Sequence, residues 1–394
     1  MVGRLAERER RIYFEYDEAF LRDPLWLSPF KLAPEPGLIE HRDRDFGPVF
    51  GLFDDSLPDG WGLLLIDRFL RRRGSALAEL SVLDRLAFLG TRTMGALTYH
   101  PPTEPVERDD RVLDLQAMAR ASEEVLEGSA DEVLPRLVRA GGSPGGARPK
   151  VLVGVGPDET LLSGETDLPA GYRHWMAKFR GRDDPSDTGP LELAYAHMAA
   201  DAGITMPPTR LFTAGGDRYF GVERFDRRGN RRHHVHTFGN LIHADFRVPS
   251  ADYHQLLHVT RVLTRDHRDV VECFRRMVFN VLAHNRDDHV KNFAFRLDGS
   301  EWRLAPAYDL IFSRGPCGEH TMTVDGEGRA PARRHLLEVA ARAGIDRADT
   351  ILDEVATAVE RWPEHAEAVE VREETQTAVY KALVENLERS QTST

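Results

Sequence analysis

An apolar helical run, Met277-Val278-Phe279-Asn280-Val281-Leu282-Ala283, empties through His284 into Asn285-Arg286-Asp287-Asp288-His289-Val290-Lys291-Asn292. The helix needs a core for its apolar residues, and its end gathers carboxylates, a histidine, a lysine and asparagines at one place. Few folds accommodate both demands at once. Arg286-Asp287, four residues, then Asn292 repeats the R-D-x-x-x-x-N core of a protein-kinase catalytic loop. Phosphoryl transfer uses those residue types for definite reasons: one carboxylate orients the attacking hydroxyl, while an amide oxygen and a second carboxylate hold Mg²⁺. Tyr308-Asp309 supplies that second carboxylate. Between Asn292 and Asp309, Phe293–Leu297 and Trp302–Leu304 read as a hairpin turning at Asp298-Gly299, which brings Asp309 back to the loop. Taken alone, the octet would equally suit a capped helix end with solvated charges.

Upstream, Ile12–Tyr16 reads as a strand, preceded by Arg8, Arg10 and Arg11 as a solvated edge. Asp45 to Leu52 reads as a short strand with a turn. Pro58-Asp59-Gly60 is plain turn chemistry leading into a helix over 63–73. Ser81 to Leu89 reads as a helix and Gly95–Tyr99 as a strand running into Pro101-Pro102, with the charged run Glu104–Arg111 marking a boundary. Helices are expected over 113–127 and 130–140. Glycines then cluster in Gly141-Gly142-Ser143-Pro144-Gly145-Gly146-Ala147-Arg148-Pro149-Lys150, ahead of the strand Val151–Val155. Backbone N–H groups in such a loop make a nest for phosphate, although the loop precedes a strand and lacks the G-K-[ST] of a Walker A motif. A mobile glycine turn is the plainer alternative.

The strand His174–Phe179 carries one lysine, Lys178, which is either a snorkelling surface residue or the kinase lysine for the α/β-phosphates. Glu192, on a helix over 191–202, is its candidate ionic partner. Strands Arg210–Thr213 and Tyr219–Phe225 pair around Ala214–Asp217, and Phe225-Asp226 falls where a kinase hinge meets adenine. Arg227 to Arg232 reads as a solvated turn, and the chain past His236 as mainly helical. The order is glycine loop, lysine strand, glutamate helix, hinge, helical region, catalytic loop and metal aspartate, which is kinase order.

At 394 residues, 41% hydrophobic and 29% charged, two or three soluble domains are expected. The net charge of −12 argues against a chain that wraps nucleic acid by itself. Cys273 and Cys317 are too few for a disulfide framework and too far apart for a metal knuckle. With no apolar leader or membrane-length span, a cytoplasmic protein that meets no membrane is expected.

In these residues the sequence resembles the HipA family, the serine/threonine-kinase toxins of bacterial HipBA-type toxin–antitoxin modules. The likeness rests on Phe14-Glu15-Tyr16, Ser56–Gly62, Gly95-Ala96-Leu97, the Ser143–Lys150 loop, Lys178-Phe179, Glu223–Arg227, Asp287–Asn292 and Ala305–Asp309. It implies an α+β, two-lobed protein-kinase-like fold with a small N-terminal α/β subdomain and a mostly helical C-terminal lobe. The expected divisions are 1–105, 106–235 and 236–394. It implies Asp287 as catalytic aspartate, Asn292 and Asp309 as ligands of Mg²⁺, and Ser143 as an autophosphorylated serine. The implied ATP site comprises Gly145, Gly146, Ala147, Arg148, Pro149, Lys150, Lys178, Glu223, Arg224, Phe225, His289, Lys291, Asn292, Tyr308 and Asp309, with the backbone of 223–225 holding adenine. Arg148-Pro149 and Asp288 depart from the family pattern without removing a catalytic group. Family members act on cytoplasmic targets in translation, glutamyl-tRNA synthetase being the familiar aminoacyl-tRNA synthetase. They pair with a helix-turn-helix antitoxin of the HipB kind, through which alone they meet DNA. Competing readings are a catalytically weak, antitoxin-bound corepressor, a small-molecule kinase on the same fold, and a metal-dependent hydrolase using His284, Asp287, Asp288 and His289.

Overall fold

A computed structural model describes residues 1–103, 112–128, 134–141 and 145–391. The charged boundary run and Ser143 lie outside the described residues.

The chain opens with an antiparallel sheet, Gly3–Arg8, Arg11–Tyr16 and Leu38–Glu40. Alternation explains the middle strand: Ile12, Phe14 and Tyr16 are buried and Arg11 and Glu15 are exposed. The expected strand over 45–52 is instead a loop entering the helix Gly51–Asp54. Val49, Phe50, Leu52 and Phe53 are all buried, and the Phe53 and Asp54 N–H groups donate to the Phe50 carbonyl at 2.9 and 3.0 Å, the local bonds of a helical turn. Helices Gly60–Arg72 and Val82–Leu89 follow, the second opened by a capping box between Ser81 and Asp84. Gly95–Tyr99 is likewise no strand, because Gly95 takes φ +70° and its peptide is held by side chains of Asp226 and Arg227 rather than by a ladder.

A five-stranded antiparallel sheet forms the next layer, in the order Leu161–Ser163, Lys150–Val155, Arg173–Lys178, Asp217–Glu223, Thr209–Ala214. Its register is decisive. Val151 faces Ala177 and Val153 faces Trp175, and their side chains pack under helices Gly60–Arg72, Leu115–Glu127 and Leu134–Gly141. Period two then sends the paired Lys150 and Lys178 to the opposite face.

A second core fills the helical lobe around His267–Leu282, whose Phe274, Met277, Val278 and Phe279 are fully enclosed. The helix Thr188–Asp201 is buried nearly all round and joins this core, as do Phe14, Tyr16, Phe50 and Phe53 of the N-terminal segment. Trp61, Leu65 and Ile66, from the same segment, join the other. The N-terminal residues therefore wedge between the two cores. Three short strands, His234–Thr237, Ala294–Asp298 and Glu301–Leu304, complete a sheet at the lobe junction. No helix among the described residues is long and apolar enough to cross a membrane.

Candidate active site

The helix His267–Leu282 stops at Ala283, and His284 turns the chain with φ +54°. A buried chain of hydrogen bonds then fixes the polar octet. Asn285 Nδ2 donates to Asn280 Oδ1 at 2.9 Å, Asn280 Nδ2 to the Tyr253 hydroxyl at 3.0 Å, and that hydroxyl to Asp288 Oδ2 at 2.7 Å. Asp288 also holds His320 Nδ1 at 2.9 Å and the Thr321 N–H at 2.8 Å, and is completely enclosed. It is the anchor of the loop, and it leaves the side chain of its neighbour Asp287 outside that network. Asn292 closes the loop by donating from Nδ2 to the Asp287 carbonyl at 2.7 Å. His289 precedes the short turn Val290–Asn292 and accepts from the Lys291 N–H at 3.2 Å.

The hairpin returns Tyr308 and Asp309 to this loop. Tyr308 donates to the Lys291 carbonyl at 2.6 Å and stacks on Phe225, with centroids 5.7 Å apart. Asp309, at φ +54°, meets the lysine face of the five-stranded sheet. Lys178 Nζ is 2.5 Å from Glu192 Oε1 and also donates to Asp309 Oδ1. Lys150, opposite Lys178 in the ladder, donates to the Gly145 carbonyl. Three segments distant in sequence thus converge on one buried cation.

Electrostatics follow from that convergence. Burial works to raise the Asp309 carboxyl, but Lys178 and Lys150 outweigh it and hold the group well below the usual carboxylate range. Burial works to lower the Lys178 ammonium, and Asp309 with Glu192 outweigh it in the other direction. Lys150 is lowered by burial and by the neighbouring Lys178 charge, against the pull of Asp309. Asp287 is pushed up by burial, with His289 opposing and the Asp309 and Asp288 charges adding to the rise. An electron-rich corner formed by Asp287 and Asp309, closed by the Asn292 amide, offers hard oxygen donors of the kind Mg²⁺ takes. Among the described residues no three His, Cys, Asp or Glu side chains form a closed metal cage. The donor set therefore suits an ion that keeps water and ligand oxygens in its shell.

The remaining candidates fall into two groups. Gly145, Gly146 and Ala147 lie at the edge of the cleft, where Gly146 takes φ +94°, a conformation that favours glycine, and a Cβ there would meet Lys150 Nζ at 2.5 Å and push it aside. Pro149 extends the sheet by accepting from the Phe179 N–H at 2.8 Å. The side chains of Arg148, Glu223 and Arg224 turn elsewhere: Arg148 pairs with Asp184 at 2.9 Å, Glu223 with Arg173 at 3.1 Å, and Arg224 bidentately with Asp226 at 2.9 and 2.7 Å. The Glu223 and Arg224 N–H groups already donate to Pro208 and His174 carbonyls, whereas the Phe225 N–H has no acceptor among the described residues. Arg227 and Arg232 are no solvated turn; they donate to the Thr91, Thr93 and Gly95 carbonyls.

Two features of the site escaped the sequence. Asp288 reads in the sequence only as a departure from the family pattern and as a ligand in the competing hydrolase reading, and only the three-dimensional network with Tyr253 and His320 shows its structural use. Lys291 pairs with Asp54 at 3.2 Å, from a segment read only as a turn. The density of aspartates in Asp54–Asp59 was the available signal.

Residues 1–100 match the family model for the HipA N-terminal domain, and residues 142–362 the one for the HipA-like C-terminal domain. Among curated relatives, the provisionally named kinase Y4mE of Sinorhizobium fredii (strain NBRC 101917 / NGR234) is 28% identical over 338 residues, 79% of this chain and 74% of that protein. A second such protein of the same organism, Y4dM, is 29% identical over 196 residues, 48% of this chain and 45% of its own. Among solved structures, a chain of the Shewanella oneidensis MR-1 toxin–antitoxin complex of HipA, HipB and its operator DNA superposes with a TM-score of 0.72. That match covers 99% of this chain and 95% of the other at 16% identity. The fold is thus the two-lobed, protein-kinase-like architecture, and the chain belongs to the HipA family.

Proposed function

We propose that this protein is an ATP- and Mg²⁺-dependent serine/threonine protein kinase of the HipA toxin type. The observation that carries the proposal is the Glu192–Lys178–Asp309 cluster, closed over a cleft whose other wall presents Asp287. A buried lysine paired with a helix glutamate, beside an aspartate near the catalytic loop, is the set of groups a protein kinase uses for phosphoryl transfer. A hydrolytic metal cage would need histidine ligands, and His284 instead faces Phe312 and Asn386.

The chain's own groups divide the labour. Asp287, ionised, accepts a hydrogen bond from the attacking serine or threonine hydroxyl and takes its proton as the bond from that oxygen to the γ-phosphorus forms and the bond from the β–γ bridging oxygen to the γ-phosphorus breaks, so that ADP leaves. Lys178 holds phosphate oxygens, and Glu192 keeps its ammonium in place. The N–H groups of the glycine loop and the Lys150 ammonium face the same anionic ligand. Asp309 and the Asn292 amide oxygen would hold Mg²⁺, which when bound neutralises charge developing on the phosphates. Tyr308 and Phe225 form a stacked wall at the hinge, beside the Phe225 N–H that has no acceptor among the described residues, and this wall suits a purine base.

Family membership supports three finer assignments. The substrate is a cytoplasmic protein hydroxyl, an aminoacyl-tRNA synthetase being the class to try first; Ser143 is phosphorylated in cis or trans; and a small HipB-like helix-turn-helix antitoxin neutralises the enzyme and supplies the DNA contacts. Calorimetric titration with Mg²⁺-ATP tests the core of the proposal. A 1:1 binding isotherm lost in Lys178→Ala supports it. Absence of binding by the wild type refutes it.

A further inference from the structure

Asp59 stands directly before the helix Gly60–Arg72, where an aspartate ordinarily accepts from the first N–H groups of its own helix. Its side chain makes no such bond. Instead Asp59 Oδ1 accepts from the N–H of Gly146 in the glycine loop, and Oδ2 lies 3.9 Å from Lys291 Nζ in the catalytic loop. Lys291 is tied to the same segment a second time, through Asp54 at 3.2 Å. Around Asp59 the two backbones are in contact. The Trp61 N–H donates to the Gly146 carbonyl at 3.0 Å, and Trp61 Nε1 donates to the Lys150 carbonyl at 3.1 Å. A Cβ on Gly60, whose φ is +38°, would lie 2.6 Å from the Gly146 carbonyl oxygen, so this approach needs glycine there.

We propose that Asp59 is a positioning residue for the phosphate site, through which the N-terminal segment fixes the glycine loop and the catalytic-loop lysine in one register. The inference rests on the kinase assignment above for what the loop receives, and on the contacts alone for how the loop is held. Asp59 engages the Gly146 N–H. Among the described residues the next two N–H groups, of Ala147 and Arg148, have no acceptor. The loop is thus pinned at one amide and presents the following two to an anion. The wedge position of the N-terminal segment explains why the pin comes from there: its sheet is fixed in one core and Trp61 in the other. A loop ordered before binding loses less freedom when phosphate arrives, which strengthens binding without adding a contact to the ligand.

Hydrogen exchange read by mass spectrometry on the nucleotide-free full chain tests the pin directly. In Asp59→Ala, the Gly146 amide, read in the peptide spanning 145–150, should exchange about 10- to 100-fold faster, the range for losing one hydrogen bond to a charged group. Asp59→Asn, nearly isosteric and still an acceptor, should fall between Ala and wild type. Peptides from His267–Leu282 should keep their protection in both. Binding of Mg²⁺-ATP, measured by calorimetry, should weaken by a comparable factor in Asp59→Ala and less in Asp59→Asn. Unchanged exchange over 145–150 overturns the proposal, and so does faster exchange spread evenly along the chain, which would mark Asp59 as a general stabiliser. Tighter nucleotide binding by Asp59→Ala also overturns it, because the carboxylate would then be competing with phosphate. Wild-type protein that binds no Mg²⁺-ATP sinks the kinase assignment alone, and the exchange comparison still decides whether Asp59 holds the loop.

Discussion

Replacing Lys178 by Met probes the buried cluster that organises the cleft. Methionine keeps the aliphatic stem and removes the ammonium, and with it the cation–π contact of Nζ with the Phe220 ring. What is left is Glu192, with 4% of its side chain exposed, and Asp309, with Lys150 as the remaining nearby cation. Removing one partner of a buried ion pair costs about 3–5 kcal/mol, because the other charge stays buried without compensation. Most of that comes from Glu192. Asp309, whose side chain is 39% exposed toward the cleft, is partly screened by solvent and adds less. The pH dependence has a definite sign. In the wild type Lys178 outweighs burial and keeps the folded-state Asp309 well below its unfolded value. Its contribution to stability is therefore complete above the ordinary aspartate range and disappears as pH falls toward the depressed folded value. In Lys178→Met the burial effect regains ground and the folded value rises, so protonation relieves the variant within an accessible range. Urea denaturation followed by tryptophan fluorescence, at neutral pH and about two units lower, reads both effects. The deficit should be about 3–5 kcal/mol at neutrality and smaller in acid. A loss under about 1 kcal/mol, the level of a surface pair, or a deficit that grows on acidification, would refute the reasoning.

Asp226→Asn should destabilise the chain by about 3–5 kcal/mol, since Arg224 and Arg227 are both buried against that carboxylate and the Gly95 N–H donates to it; a thermal melt unchanged from wild type contradicts this. Because burial raises Asp287, with the Asp309 and Asp288 charges adding and His289 opposing, and because the base must be ionised, kcat/KM should climb with pH through a limb lying above the ordinary aspartate value. A pH–rate profile with its limb at or below that value counts against Asp287 as the base. Incubation with Mg²⁺-ATP should add phosphate to Ser143, whose two negative charges would compete for the glycine-loop N–H groups. Peptide mass spectrometry that finds phosphate elsewhere and never on Ser143, or a phospho-Ser143 protein that binds ATP normally, removes the switch.

Much of this was legible in the sequence, for reasons that differ from place to place. Four strands of the five-stranded sheet were legible, Val151–Val155 and His174–Phe179 as short apolar runs bounded by glycine and charge, whereas Leu161–Ser163 was not. The hairpin between the catalytic loop and Asp309 was legible from its Asp298-Gly299 turn, and Gly299 does take φ +64°. Val49–Phe53 misled, because contiguous apolar residues fit a buried strand or a buried helical turn equally well. Gly95–Tyr99 misled because its hydrogen-bond partners are side chains more than a hundred residues away, which no local pattern encodes. The same limitation hid Asp59. A Pro-Asp-Gly turn looks alike whether its aspartate caps a helix or reaches a glycine loop, and only the packing of the N-terminal segment between two cores tells which. Conversely Asp288, as polar in sequence as Asp287, is spent wholly on holding the loop.

Transfer of the γ-phosphoryl group from Mg²⁺-ATP, followed by intact mass and by nucleotide product analysis, tests the central claim most directly. Wild-type protein should form ADP and phosphorylated protein in a strictly Mg²⁺-dependent reaction. Asp287→Asn and Asp309→Asn should each abolish transfer while keeping wild-type far-UV circular dichroism, the first through loss of the base and the second through loss of a metal ligand. Turnover retained at the wild-type rate in either folded variant would contradict the assignment of this site.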